Sequence, residues 1–97
     1  MKNVSIDGKN MLTRDAAFSE LRRALSCPPA CGKNLDALYD FLTDVSQPVT
    51  LTFTNNADMV EALAPYGIKL LQTLIEASIK NPAFKLEIDW GDAESDD

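Results

Sequence analysis

Two aspartates, Asp36 and Asp40, are four residues apart, and their spacing is the feature of this sequence that most directly suggests chemistry. On a helix they would be stacked one turn apart on one face. Like charges at this spacing cost a helix roughly 0.2–0.5 kcal/mol, and Asp is also a weak helix former. A chain selected for stability alone would carry Lys or Arg at one position. The pair therefore indicates a surface for a positively charged partner, although acidic outer faces are also common on helices without such a function.

The segment Gly32–Val45 is predicted to contain the helix that carries both carboxylates. Apolar residues recur at i, i+3, i+7 and i+10, the spacing of a stripe that packs into a core; these are Leu35, Leu38, Leu42 and Val45, with Phe41 beside them. The opposite face adds Tyr39 and Thr43 to the two aspartates. Asn34 is suited to cap this helix, and Gly32 to a backbone conformation or close approach that a side chain would block.

The residue types argue against catalysis, so we expect a binding protein and not an enzyme. The sequence has no histidine, which removes Ser-His and Cys-His nucleophiles and the most usual general base. Asp36 and Asp40 could in principle act as a glycosidase-like pair or as magnesium ligands. One exposed helical face, however, lacks the flanking geometry and dry pocket that such work needs. No glycine-rich phosphate loop is present, and we expect no cofactor, no metal and no small-molecule substrate.

Length and composition indicate one domain over residues 1–91, followed by an acidic and disordered tail over residues 92–97. The 97 residues are 45% hydrophobic and 25% charged, which suits a single core. The net charge is −6, but four of the 15 acids lie in the tail, so the rest of the chain is nearly balanced. A partner that senses charge must therefore recognise a local patch. With no basic stripe, direct binding to nucleic acid is not expected.

The two cysteines, Cys27 and Cys31, do not form a disulfide framework and cannot complete a common zinc site. They could oxidise to each other, but reduced thiols are the expectation for a cytoplasmic chain. The start, MKNVSIDGKN, has no apolar signal region, and no apolar run approaches the ~18 residues of a membrane helix. These features predict a cytoplasmic protein that does not interact with a membrane.

The remaining pattern predicts an α/β fold of order β-α-α-β-α-α-β, a three-stranded parallel sheet packed with about four helices. The expected strands are Asn3–Ile6, Val49–Thr54 and Phe84–Trp90, the last with one wet face or an edge position. Besides the acidic helix, we expect one helix capped by Thr13 and ending at Leu25, a short one capped by Asn55 or Asn56, and one over Ile68–Lys80 after a break at Tyr66-Gly67. In this last helix Leu71, Leu74, Ile75 and Ser78 or Ile79 are expected to face the core.

The segment PPACGKNLDALYDFL resembles the barstar family of ribonuclease inhibitors, in the Gly-Lys-Asn stretch followed by LDALYD. A weaker similarity covers LLQTLIEA, Leu70–Ala77, and the likeness as a whole spans residues 2 to about 90. It implies the barstar fold and a bacterial, intracellular inhibitor. The implied partner is a secreted microbial-type ribonuclease, held in a 1:1 complex and blocked before export, with carboxylates occupying the place of RNA phosphate.

The resemblance also implies the contact residues. Asp40 matches the central carboxylate of the inhibitory helix and would be the phosphate mimic, and Asp36 matches the second acid. The other matched positions are Gly32 and Asn34 at the entry to the helix, Tyr39 and Thr43 on it, and Glu76 on a later helix. Considered alone, Glu76 is equally well explained as a solvated surface residue.

Four residues depart from the best-known family member. Ala30 replaces a tyrosine, Asp44-Val45 replaces a Gly-Trp pair, and Lys80 replaces an acid. The carboxylates are kept while their surroundings change, which suggests a different ribonuclease target, specificity or affinity. The alternative is a barstar-like interaction module for another basic protein, without ribonuclease inhibition.

Overall fold

The computed structural model describes residues 2–28 and 34–89. The strands are β1 (Lys2–Asp7), β2 (Val49–Thr54) and β3 (Phe84–Asp89), and the helices are α1 (Arg14–Leu25), α2 (Leu35–Thr43), α3 (Asn56–Leu63) and α4 (Tyr66–Lys80). A 3-10 turn, Gly8–Asn10, follows β1. The order β-α-α-β-α-α-β confirms the predicted fold class.

The three strands form one parallel sheet in the order β1-β2-β3, so β2 is central. The register aligns Val4 with Leu51 and Leu86, and because parallel neighbours point the same way, these side chains share one face. The opposite face is polar, as the row of Ser5, Thr52 and Glu87 shows. The helices therefore cover the apolar face.

One hydrophobic cluster joins all three strands to all four helices. Its buried members are Ile6, Met11, Ala17, Phe18, Leu21, Ala24, Leu25, Leu38, Leu42, Val49, Leu51, Phe53, Met59, Leu70, Leu74, Ala77 and Phe84. Burial of this apolar surface is the main favourable term that fixes the helices on the sheet. The acidic helix α2 contributes Leu38 and Leu42 to it, both with 0% exposure.

Two of the three predicted N-cap residues cap their helices through a side-chain hydrogen bond. Thr13 Oγ1 accepts a hydrogen bond from the Ala16 N–H at 3.1 Å and begins α1 as expected. Asn34 caps α2 in the same way. Asn55 occupies the N-cap position of α3, but its side chain donates to Asp7 Oδ1 at 2.9 Å and makes no capping bond.

The prediction for α4 was wrong in two respects. Tyr66 and Gly67 do not break the chain but form the first turn of α4. A Cβ at Gly67 would lie 2.9 Å from Val60 Cα, so glycine here allows α3 and α4 to pack closely and does not mark a turn. Of the two alternatives for the last core position, Ser78 is half-buried and Ile79 is 78% exposed. The buried residues of α4 are instead Gly67, Leu70, Leu74 and Ala77.

The expectation of reduced thiols was also wrong for Cys27, which is buried and disulfide-bonded. That expectation rested on how rarely cytosolic proteins carry disulfides and not on any property of the local chain. The other cysteine, Cys31, lies outside the described residues, as do Trp90 at the predicted end of β3 and the predicted tail over residues 92–97.

Candidate functional site

The acidic helix α2 is fixed at its start and along its inner face. Asn34 Oδ1 accepts a hydrogen bond from the Ala37 N–H at 2.8 Å, which confirms Asn34 as the N-cap. Leu38 and Leu42 anchor the helix in the core, whereas Leu35 is half-buried at its edge. A helix held at these points has its backbone fixed relative to the core, so the positions of its outer residues are fixed as well.

Asp36 and Asp40 lie on the outer face of α2, and both are exposed. The carboxylate groups of both residues lack an ion pair or hydrogen bond with any described residue. No cation among the described residues therefore forms an ion pair that would offset the repulsion between them. The structure brings these two predicted residues together as a pair of solvent-facing negative charges.

Tyr39 and Thr43 are less available than the aspartates. Tyr39 is half-buried and packs against the hydrophobic cluster. The Thr43 hydroxyl donates to the Tyr39 carbonyl oxygen at 2.9 Å and is also within 3.3 Å of the Asp40 carbonyl oxygen. Both side chains thus stand at the border between the acidic face and the core, where they support the helix and keep a partial solvent surface.

The structure locates some of the predicted loop residues and of the positions that differ from the best-known family member. Gly32 and Ala30 lie outside the described residues. Asp44 and Lys80 are exposed, whereas Val45 is half-buried and packs against the core. The two residues that replace the Gly-Trp pair therefore differ in environment: the charge of Asp44 lies in solvent, and the apolar side chain of Val45 lies at the edge of the core.

Helices α2 and α4 run side by side in the same direction. Their N-terminal ends meet where Asp36 and Lys69 line one groove. At the other end, the Asn81 side-chain amide donates to the carbonyl oxygens of Leu42 and Val45, both at 2.9 Å. Glu76 is exposed and stands two turns beyond Lys69 on the same face of α4. The three predicted acids therefore occupy two neighbouring helices.

Sequence reasoning missed the groove at the N-terminal ends of α1, α2 and α4. It measures about 500 Å³ and is lined by Arg14, Asp15, Phe18, Asn34, Leu35, Asp36, Tyr66 and Lys69. The Arg14 guanidinium lies 4.0 Å from the centre of the Tyr66 ring. One signal could have found it: Arg14 and Lys69 are cations in the first turns of their helices, where the helix dipole favours acids.

Perturbed pKa values occur away from the acidic face, with one in the groove. Burial raises the pKa of Tyr66, and the charge of Arg14 opposes part of that rise. The hydrogen bond from Asn55 lowers the pKa of Asp7, assisted by the Lys9 N–H. Burial acts to raise the pKa of Glu20, but the bonds from Arg23 and from the Asp7 N–H outweigh it and leave that pKa lowered.

Over the described ranges, 2–28 and 34–89, no group of three or more His, Cys, Asp or Glu residues is placed to hold a metal ion. The helices within these ranges include none with the length and hydropathy to cross a membrane.

Comparison with known proteins assigns the family. The family profile described as "Barstar (barnase inhibitor)" matches residues 1–89. The chain belongs to the barstar family. A relative in Bacillus subtilis (strain 168), named "Putative ribonuclease inhibitor YrdF", is 33% identical over 78 residues, covering 79% of this chain and 86% of the relative. The resemblance inferred from the sequence is confirmed, and the matched range includes all of the predicted barstar contact positions, whose roles remain predictions.

Proposed function

We propose that this barstar-family chain is an intracellular inhibitor of a microbial-type ribonuclease and binds the enzyme's active site through α2 and the preceding loop. The observation that carries this proposal is the pair of exposed carboxylates on α2, Asp36 and Asp40, without a partner among the described residues. The family description and the name of the B. subtilis relative support a ribonuclease as the target.

The proposed mechanism is occupation of the site that binds RNA phosphate. Such a site must present cationic side chains, and carboxylates on a rigid helix can accept their hydrogen bonds in place of phosphate oxygens. Charge-assisted bonds of this kind are short and strong once water is excluded. Because α2 is already fixed by Asn34, Leu38 and Leu42, little conformational entropy is lost on binding.

The predicted residues take distinct roles within this proposal. Asp40, in the middle of the exposed face, is the phosphate mimic, and Asp36 one turn earlier extends the negative surface. Glu76 adds an outlying charge from α4. Gly32 and Asn34 shape the entry to α2, while Tyr39 and Thr43 border the acidic face and complete the contact in a 1:1 complex with a secreted enzyme.

The test uses barnase, the enzyme named in the family description, as the probe. Inhibition of RNA cleavage and the dissociation constant are measured for the wild-type chain and for D40N, D36N and E61Q. The last variant is the control, because Glu61 is exposed on α3. We expect D40N to weaken binding by roughly 2–5 kcal/mol, a range that rests on charge pairs of the barnase–barstar complex itself and not on this structure.

We expect a smaller loss for D36N, none for E61Q, and melting temperatures close to wild type for all three variants. Equal inhibition by wild type and D40N would overturn the role of Asp40. Failure of the wild-type chain to inhibit barnase and other microbial ribonucleases would overturn the proposed function. The alternative of an interaction module for another basic protein would then remain, and the observation that favours it is Lys80, which is exposed where the best-known family member has an acid.

A further inference from the structure

The Arg14 side chain is held in place without using its hydrogen-bonding capacity. Its guanidinium stacks over Tyr66 at 4.0 Å, and the structure gives its N–H groups no hydrogen bond or ion pair with any described residue. Stacking of this kind fixes the plane of the guanidinium while its edge remains free. An Arg in this state is preorganised to donate two parallel bonds to a carboxylate.

Lys69 and two acids share the groove with Arg14. The carboxylates of Asp15 and Asp36 line it, yet none of the four charges forms an ion pair within the described part of the chain. Arg14 and Lys69 also stand in the first turns of α1 and α4, where a cation opposes the helix dipole. Both cations thus hold positions that the helix dipole disfavours, and of the two it is Arg14 that stacks on Tyr66.

We propose that Arg14 and Lys69 form a cationic subsite beside Asp36 that binds an acidic side chain of the target ribonuclease. This inference rests on the proposed function. When Asp36 meets a cation of the enzyme, the described lining of the groove is left with the positive charges of Arg14 and Lys69 and with Asp15 as its one remaining acid. A carboxylate of the enzyme next to that cation would pair with Arg14 and Lys69. The enzyme surface must therefore be positive where it meets Asp40 and negative where it meets the groove.

The change of sign would set the orientation and the specificity of the complex. A uniformly acidic surface can bind any basic cleft, whereas Arg14 and Lys69 repel a target that offers only cations at this end. The subsite therefore selects ribonucleases that carry an acid next to the substrate-binding cations. The departures at Asp44 and Val45 lie at the C-terminal end of α2, away from the groove, and Arg14 and Lys69 would supply contacts in their place.

The test measures the kinetics of barnase binding for R14A, R14K and K69A. The controls are R22A, whose guanidinium donates to Ser19 on the outer side of α1, and K85A, an exposed lysine on β3. We expect R14A and K69A each to raise the dissociation constant about tenfold, as expected for loss of a charge-assisted bond. R14K keeps the charge but not the planar guanidinium, so its dissociation constant should rise less than that of R14A. The dissociation constants of the two controls should stay within twofold of wild type.

Wild-type affinity or tighter binding for both R14A and K69A, with D40N still weakened, would overturn the subsite and leave the proposed function standing. Tighter binding of R14A and K69A would show that Arg14 and Lys69 are repelled by the basic cleft of the enzyme and bind no acid there. Failure of the wild-type chain to inhibit barnase and other microbial ribonucleases would overturn both proposals. Thermal melting of each variant separates binding from folding, and K69A remains informative if R14A unfolds, because it leaves the stack on Tyr66 intact.

Discussion

Asn81 links the end of α4 to the end of the acidic helix, and its replacement by Ala is expected to lower the stability of the fold. The side-chain amide donates two hydrogen bonds of 2.9 Å, to the carbonyl oxygens of Leu42 and Val45, and its Oδ1 accepts one of 3.0 Å from the Ala83 N–H. Each such bond contributes about 1 kcal/mol net. Because the site is half-buried, water replaces part of the loss, and we expect N81A to cost about 2 kcal/mol.

For a domain of this size that loss corresponds to a fall of roughly 10 °C in melting temperature. Urea unfolding of wild type, N81A and N81D at pH 7 measures it. N81D keeps the shape and the acceptor for Ala83 but turns an oxygen toward two carbonyl oxygens, so it should lose at least as much stability as N81A.

A free energy of unfolding for N81A within 0.5 kcal/mol of wild type, a difference typical of surface substitutions, would refute this reasoning. It would show that Asn81 does not hold α2 against α4. Barnase inhibition supplies a second readout, because a loosened C-terminal end of α2 should weaken binding by less than D40N does.

Three further predictions concern pH, packing and salt. The lowered pKa values of Asp7 and Glu20 mean that both carboxylates stabilise the fold at neutral pH. This stability should be lost as the pH falls through and below their ordinary pKa values, 3.8 for Asp7 and 4.5 for Glu20. Urea unfolding from pH 7 to 3 should show a falling free energy of unfolding, with a shallower fall for E20Q. G67A should destabilise the fold despite the better helix propensity of Ala, because its Cβ would lie 2.9 Å from Val60 Cα; a stabilised variant in thermal melting would contradict the close packing of α3 and α4. Added salt should slow association with barnase more than it speeds dissociation, and stopped-flow measurements should find a weaker salt dependence for D40N; a salt-independent association rate would exclude electrostatic steering.

Local patterns accounted for most of the fold. The period-2 alternation of Val49–Thr54 gave the limits of β2 that the structure has, and Thr13 and Asn34 marked the starts of α1 and α2. These features depend on residues a few positions apart, whose backbone and capping preferences operate within a single element. The core face of α4 was harder to predict, and Leu70 and Ala77 were missed. A helix with apolar residues on several sides can bury any of them, and only the elements packed against it decide which.

The sequence by itself determined that Asp36 and Asp40 share the outer face of a helix, because a 3.6-residue period and an apolar stripe on the other side leave them no other position. The tertiary structure alone decided what surrounds that face. It set α4 parallel to α2, joined Asn81 to the carbonyl oxygens of Leu42 and Val45, and stacked Arg14 on Tyr66. Each of these contacts joins residues more than 30 positions apart, and such contacts follow from the packing of the whole core, which no local pattern encodes.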